Sequence, residues 1–221
     1  MGLAMKACSL FAALCLAACT TGNGFGRADS RDLNQPAVKK LEEALARNAA
    51  PNTTSVLIVR DGRLALEFYR GDGAPDKLND TRSATKTMVA LAVGQAIADG
   101  KLANLDAPVL SFFPDLEPIL NDSQLKREIT IRDLMTMTSA LDCDDNNETP
   151  GNEENMYPTP SWTRFALDLP VMGGWKRESD GLGPWRYCTA GSFLLGQIVE
   201  RAVGERIDSY VARRIFDPLG I

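Results

Sequence analysis

Histidine is missing from all 221 residues. That single absence excludes a Ser-His-Asp triad, a Cys-His pair and the histidine-bearing zinc sites. Acid–base chemistry near neutral pH therefore falls to Lys, Tyr, Asp, Glu or Cys. Basic residues number 24 against 29 acidic ones, for a net charge of −5, and they form no stripe interleaved with aromatics. A chain so balanced lacks the electrostatic footprint of a nucleic-acid binder. Internal repeats, heptads and a glycine-rich phosphate loop are also lacking. The carboxylates show no metal-loop spacing, so neither a metal nor an organic cofactor is expected.

Long apolar runs are scarce as well. Residues 1–19, MGLAMKACSLFAALCLAAC, hold an apolar run from Ala7 to Ala18 behind Lys6. It is too short for a comfortable permanent span and reads as a targeting segment. Its end, Leu16-Ala17-Ala18-Cys19, resembles a bacterial lipobox, in which Cys19 would be the lipidated first residue of the mature protein; a plain cleavable signal is the alternative. The resemblance implies an exported chain on the periplasmic side, anchored by lipid and, with no Asp after the cysteine, at the outer membrane. Residues 20–35 would be a flexible tether, and 36–221 a domain of about two hundred residues. Of the five cysteines, Cys8 and Cys15 would leave with the leader. Cys143 and Cys188 remain, two thiols that in an exported chain either bridge or stay buried and unpaired.

Within 36–221 the local signals are clear. PAVKKLEEALARNA, 36–49, has Pro36 near its start and Val38, Leu41 and Leu45 on one stripe, which predicts an amphipathic helix. TTSVLIVRDGRLALEFYR is two strand-like runs joined by Asp61-Gly62, a hairpin signal. Residues 84–98 are apolar on more than one face, which predicts an internal, central helix. Thr130 and Asp133 form a capping-box pattern before Leu134 and Met135. Residues 139–160, rich in Asp, Asn, Glu, Gly and Pro, read as a long surface excursion. Further helices are expected over 161–169, 190–202 and 205–216, the last stopped by Asp217-Pro218.

The stretch TRSATKTMVALAVGQAIADGKL, 81–102, carries the chemistry. Ser83 and Lys86, three apart on a helix, share a face. A serine hydroxyl becomes a nucleophile when a neighbouring base takes its proton, and a lysine or a tyrosine beside an ammonium can do so. The bland reading is a helix cap that happens to carry a lysine. Tyr187, in GPWRYCTAGSFLLGQIVERA, likewise precedes an apolar helix, from which its hydroxyl can reach a shared centre.

Ser83-Ala84-Thr85-Lys86 with the apolar helix behind it, then ITIRDLMTMTSAL, then WRYCTAGSFLLGQIVERAVGERIDSYVARRIFDPLGI, closely resembles the class C beta-lactamase-like serine hydrolases. That group includes class C beta-lactamases, DD-peptidases, family VIII carboxylesterases and 6-aminohexanoate-oligomer amidases. The resemblance implies an α+β fold, the α/β sandwich of the beta-lactamase/transpeptidase type. It also implies an acyl-enzyme mechanism in which Ser83 attacks a carbonyl, Lys86 sustains its activation and Tyr187 is the tyrosine of the family's Tyr-x-Asn motif. At the Asn position this chain has Thr189, a substrate-binding hydroxyl with shorter reach than an amide. That departure favours a small-molecule ester or linear amide as substrate over a beta-lactam or a D-Ala-D-Ala peptide. A bridge between Cys143 and Cys188 would tie the 139–160 excursion behind Tyr187. The chain ends at FDPLGI, before the family's Lys-Thr-Gly-like or His-Thr-Gly-like strand. The resemblance therefore implies a domain with its helical region and first strands but without the C-terminal strands, and little activity without that strand's oxyanion donor. A non-catalytic, penicillin-binding-like envelope protein is the contrasting expectation.

Overall fold

The structure, a computed structural model, describes residues 26–27 and 33–221. The targeting segment, Cys19 and most of the expected tether lie outside those residues. No helix among the described residues is long and apolar enough to cross a membrane. The chain divides into two units, one reaching to Asp80 and including Pro218–Ile221, the other spanning Thr81–Asp217.

The first unit holds a small sheet and one helix. Strand β1 (Gly26–Arg27) runs parallel to β3 (Arg63–Tyr69), which pairs antiparallel with β2 (Ser55–Arg60) in the order β1-β3-β2. Asp61 and Gly62 both have positive φ, 50° and 70°, the signature of the two-residue turn that matches strand twist. Ile58 pairs with Leu66 and Val59 with Leu64, which leaves Ala65 as an extra, bulged residue. Leu64 and Ala65 are consequently buried side by side in sequence, where strict alternation would expose one. Helix α1 (Gln35–Ala46) is capped by Asn34, which accepts from the Ala37 N–H. Its expected stripe is present, with Leu45 buried and Val38 and Leu41 half-buried. Arg70 gathers the chain after α1: its guanidinium donates to the carbonyls of Leu45 (2.8 Å), Thr53 (2.5 Å) and Ala50.

The second unit is helical: α2 (Thr85–Ala98), α3 (Gln124–Arg127), α4 (Ile131–Met135), α5 (Glu153–Met156), α6 (Trp162–Asp168), α7 (Thr189–Val203) and α8 (Ile207–Val211). Helix α7 is its axis, packed on α2, α4, α6 and α8. Ala92, Val93 and Ala96 of α2 share the core with Leu194, Leu195, Ile198 and Val199 of α7. Fully burying an aliphatic side chain of this size stabilises a fold by about 1.5–3 kcal/mol. Asp99 at the end of α2 accepts from the Tyr210 hydroxyl and Arg214 Nε, both at 2.8 Å. Burial and the Asp99 carboxylate push the Tyr210 phenol up to about 12.

Three expectations need correction. Helix α2 is not buried all round, since Leu91 is 50% exposed and the space beside Gly94 is open; apolar composition does not distinguish a covered face from a bare one. The segment 139–160 is a surface excursion only in part: Ala140, Leu141, Cys143, Asp144 and Met156 are buried, while Asn146, Asn147, Glu148 and Tyr157 are exposed. Its polar side chains bond inward: Asp144 accepts from Asn146 N–H (3.0 Å) and Asn147 Nδ2 (2.7 Å). Burial opposes ionisation of Asp144, but these donors with Arg186 nearby outweigh it and hold the carboxyl below the usual range. The helix expected over 205–216 is instead α8 followed by a wider π-turn, Ala212–Phe216, closed by Asp217 N–H on the Ala212 carbonyl. Pro218 offers no N–H and its ring crowds the carbonyl four residues back, which favours the wider turn.

Candidate active site

Ser83, Lys86 and Tyr187 all belong to the second unit, and the structure brings them together. A 3₁₀ turn, Arg82–Ala84, leads into α2, so Ser83 sits just ahead of the helix and Lys86 on its first turn. The residue at the cap position is Ala84, and the Ser83 hydroxyl is not spent on a cap bond. It accepts instead from Lys86 Nζ at 3.1 Å. The same Nζ lies 4.9 Å from the centroid of the Tyr187 ring, within range of a cation–π attraction. Ser83 is exposed, while Lys86 and Tyr187 are half-buried. Trp185 stands next to the cluster, its ring 6.3 Å from that of Tyr187 and 63% exposed.

Tyr187 lies one residue outside α7, whose cap is Cys188 and whose first residue is Thr189. Helical hydrogen bonds do not hold it, and residues 137–145 do. Arg186 N–H donates to the Met137 carbonyl and Asp145 N–H to the Tyr187 carbonyl, both at 2.8 Å. Thr189 N–H donates to Asp145 Oδ2 at 2.8 Å, and Cys188 is joined to Cys143 by a disulfide. Cys188 Sγ also accepts from Gly191 N–H at 3.2 Å, capping α7. The Thr189 hydroxyl is buried and has no hydrogen-bond partner among the described residues.

Helix α4, packed on α7, is fixed by an ion pair between a buried carboxylate and a partly exposed arginine that its sequence did not announce. The capping box is formed, with Thr130 N–H donating to Asp133 Oδ2 at 2.9 Å. Asp133 also receives both Nη atoms of Arg177, at 2.6 and 2.9 Å. Burial works against ionisation of Asp133, but Arg177 and the Thr130 N–H and hydroxyl outweigh it and hold its carboxyl below the ordinary range. The local cue to Asp133 was its capping box; nothing near it in sequence pointed to Arg177. Asp145 was missed as well, since it stands eight residues ahead of Glu153 and 44 from Thr189, from whose N–H groups it accepts, and so occupies no cap position in sequence. Among the described residues, no group of three or more His, Cys, Asp or Glu side chains is placed to hold a metal.

The Beta-lactamase family model matches residues 38–221. The chain belongs to the beta-lactamase family. A relative named 6-aminohexanoate-dimer hydrolase, from Paenarthrobacter ureafaciens, is 24% identical over 159 residues, covering 70% of this chain and 39% of the relative. Esterase EstB from Burkholderia gladioli is 32% identical over 156 residues, 66% of this chain and 38% of the esterase. Among solved structures, a D-stereospecific amidohydrolase from Streptomyces superimposes with a TM-score of 0.58 at 25% identity, covering 81% of this chain and 53% of that one. This beta-lactamase-family chain thus spans about two fifths of the length of the curated relatives it matches. Its α+β architecture is that of the family's serine hydrolases.

Proposed function

We propose that this protein is a serine hydrolase that cleaves esters or linear amides through an acyl-enzyme on Ser83. The observation that carries the reading is one amine, Lys86 Nζ, 3.1 Å from Ser83 Oγ and 4.9 Å from the Tyr187 ring centroid in a chain without histidine. The base formed by Tyr187 and Lys86 takes the Ser83 proton as Oγ attacks the carbonyl carbon. The tetrahedral adduct collapses, the bond to the leaving group breaks, and Tyr187 returns the proton to the departing oxygen or nitrogen. Water then attacks the acyl-Ser83 carbonyl by the same proton path in reverse, which frees the acid and Ser83. No metal or cofactor enters these steps.

Relatives named as esterase, hydrolase and amidohydrolase support this substrate class. So does Thr189, where beta-lactamases carry the amide of Tyr-x-Asn. We assign its unpaired hydroxyl to the substrate, which requires a χ1 rotation to uncover it. We also propose export and lipid attachment at Cys19, with support from Leu16-Ala17-Ala18-Cys19 and from a disulfide of the kind that persists in oxidising compartments. Incorporation of an alkyne-labelled fatty acid, lost in Cys19→Ser, is the expected outcome. The catalytic reading is tested with a fluorophosphonate probe on the full chain, the adduct mapped by mass spectrometry. An adduct on Ser83 that vanishes in Ser83→Ala is expected, with p-nitrophenyl butyrate turned over faster than nitrocefin. Faster nitrocefin cleavage would move the substrate to beta-lactams; folded protein without a Ser83 adduct would overturn the acyl-enzyme and leave a binding protein.

A further inference from the structure

We infer that Asp145 is the positioning residue that sets Tyr187 against Lys86 and Ser83, an inference that rests on the acyl-enzyme reading above. Tyr187 precedes the cap of α7, so the helix does not dictate its backbone. Cys188 is extended, with φ −131° and ψ 104°, and an extended residue between a loop and a helix start lets the loop side swing unless the two peptides around it are tied. Asp145 ties both. Its N–H holds the carbonyl of Tyr187 at 2.8 Å, and its Oδ2 takes the N–H of Thr189 at 2.8 Å. Its Oδ1 takes the N–H of Glu153 at 3.0 Å, the first residue of α5. One residue thus links the starts of α5 and α7 and holds, by main chain and carboxylate together, the two peptides that follow Tyr187.

The charge suits the place. The first N–H groups of a helix have no partner within it and carry the positive end of its dipole, so a carboxylate there is held more firmly than a neutral acceptor. Two N–H donors approach two different oxygens, which a carboxylate accepts and an amide cannot, since its nitrogen only donates. The disulfide at Cys188 adds a second, covalent restraint one residue from Tyr187. It fixes a Cα position, whereas Asp145 fixes the two peptide planes that flank Cys188, the nearer of which carries the Tyr187 carbonyl. Tyr187 must aim its hydroxyl within a fraction of an ångström to exchange a proton with Ser83, and a misplacement of 1 Å can cost about 100-fold in rate.

The test is the rate of fluorophosphonate labelling at Ser83 in the full chain, for the wild type, Asp145→Ala, Asp145→Asn, Tyr187→Phe and Asp145→Ala/Tyr187→Phe. Asp145→Ala is expected to slow labelling by about 100-fold, and Asp145→Asn, which keeps one acceptor, to fall between. In the Tyr187→Phe background the Asp145→Ala loss should vanish, because the proton relay it serves is already gone. A merely structural role would give the same loss in both backgrounds and would overturn the inference. Labelling of Asp145→Ala at the wild-type rate would also overturn it. If Asp145→Ala does not fold, Asp145→Asn decides, with a wild-type rate as the refuting result. Amide exchange of Thr189 is read in parallel and is expected to accelerate in both variants. Should the wild type itself fail to label on Ser83, the acyl-enzyme reading falls while Thr189 exchange still decides the clamp: unchanged protection in the Asp145 variants overturns it.

Discussion

Removing the Cys143–Cys188 bridge should destabilise the second unit by a worked amount. The two cysteines are 45 residues apart in sequence. Closing a loop of that length in the unfolded chain costs it entropy equivalent to ~4 kcal/mol at 25 °C on the chain-entropy model. The variant that isolates this term is Cys143→Ala/Cys188→Ser. Serine at 188 keeps an acceptor for the Gly191 N–H that Cys188 Sγ now caps at 3.2 Å, and serine is a preferred cap. Alanine at 143 avoids burying a hydroxyl at a site 1% exposed and adds about 1 kcal/mol for the lost sulfur contacts. With a urea slope of about 2 kcal/mol/M, the midpoint should fall by about 2.5 M, followed by tryptophan fluorescence. Wild type in reductant should approach the variant. Coincident midpoints for the oxidised wild type and the variant would refute the reasoning. So would peptide mapping, alkylated without reductant, that finds the Cys143 and Cys188 peptides unlinked.

The other predictions follow from single contacts. Lys86→Met should slow Ser83 labelling by about 10²–10⁴-fold, the usual range for a proton-transfer group, with the unfolding midpoint little changed; a wild-type labelling rate would exclude Lys86 from the chemistry. Arg177→Met leaves Asp133, 1% exposed, without its ion-pair partner. The loss should be about 1–3 kcal/mol by urea melts, less than for a wholly buried pair because Arg177 is 38% exposed. Because the folded-state pKa of Asp133 is depressed, its contribution is fully present above the unfolded carboxylate value of about 3.9 and is lost as pH falls from there through the folded one. Stability measured across that window should fall less steeply in Arg177→Met than in wild type. Gly183→Ala would place a Cβ 2.5 Å from the Trp175 ring and 2.6 Å from the Thr138 carbonyl; a cost of about 1–3 kcal/mol is expected, and an unchanged melting temperature would contradict that packing.

Local chemistry was the legible part of this fold. Asp61-Gly62, the Thr130 and Asp133 box, the stripe of α1 and the apolar runs of α2 and α7 each announce themselves within a few residues, because turns, caps and periodicity are short-range. The candidate site was legible only as two fragments, Ser83 with Lys86 on one turn and Tyr187 before α7, joined by the order of blocks that the family shares. What stayed hidden acts across long separations. Asp145 meets Thr189 and Asp133 meets Arg177 across 44 residues in each case, and no pattern in either neighbourhood records the partner. The segment 139–160 misled for the same reason: polar composition marks a solvated loop unless those polar groups turn inward to bond the backbone, as Asp144 and Asp145 do. The bulge at Ala65 is equally silent, since a strand with one extra residue still reads as apolar and aromatic.

The bridge from Cys143 to Cys188 also makes residues 144–187 a covalently closed ring that contains α5 and α6 whole. A protease that cuts once inside it leaves a single molecule: two fragments on a gel with reductant, one band without. Nicked protein would keep Tyr187 tethered beside residues 137–145, so the cluster around Ser83 can outlast damage to the glycine-rich 171–184 stretch that leads into it. The cross-link thus guards the geometry around Ser83 as much as the fold.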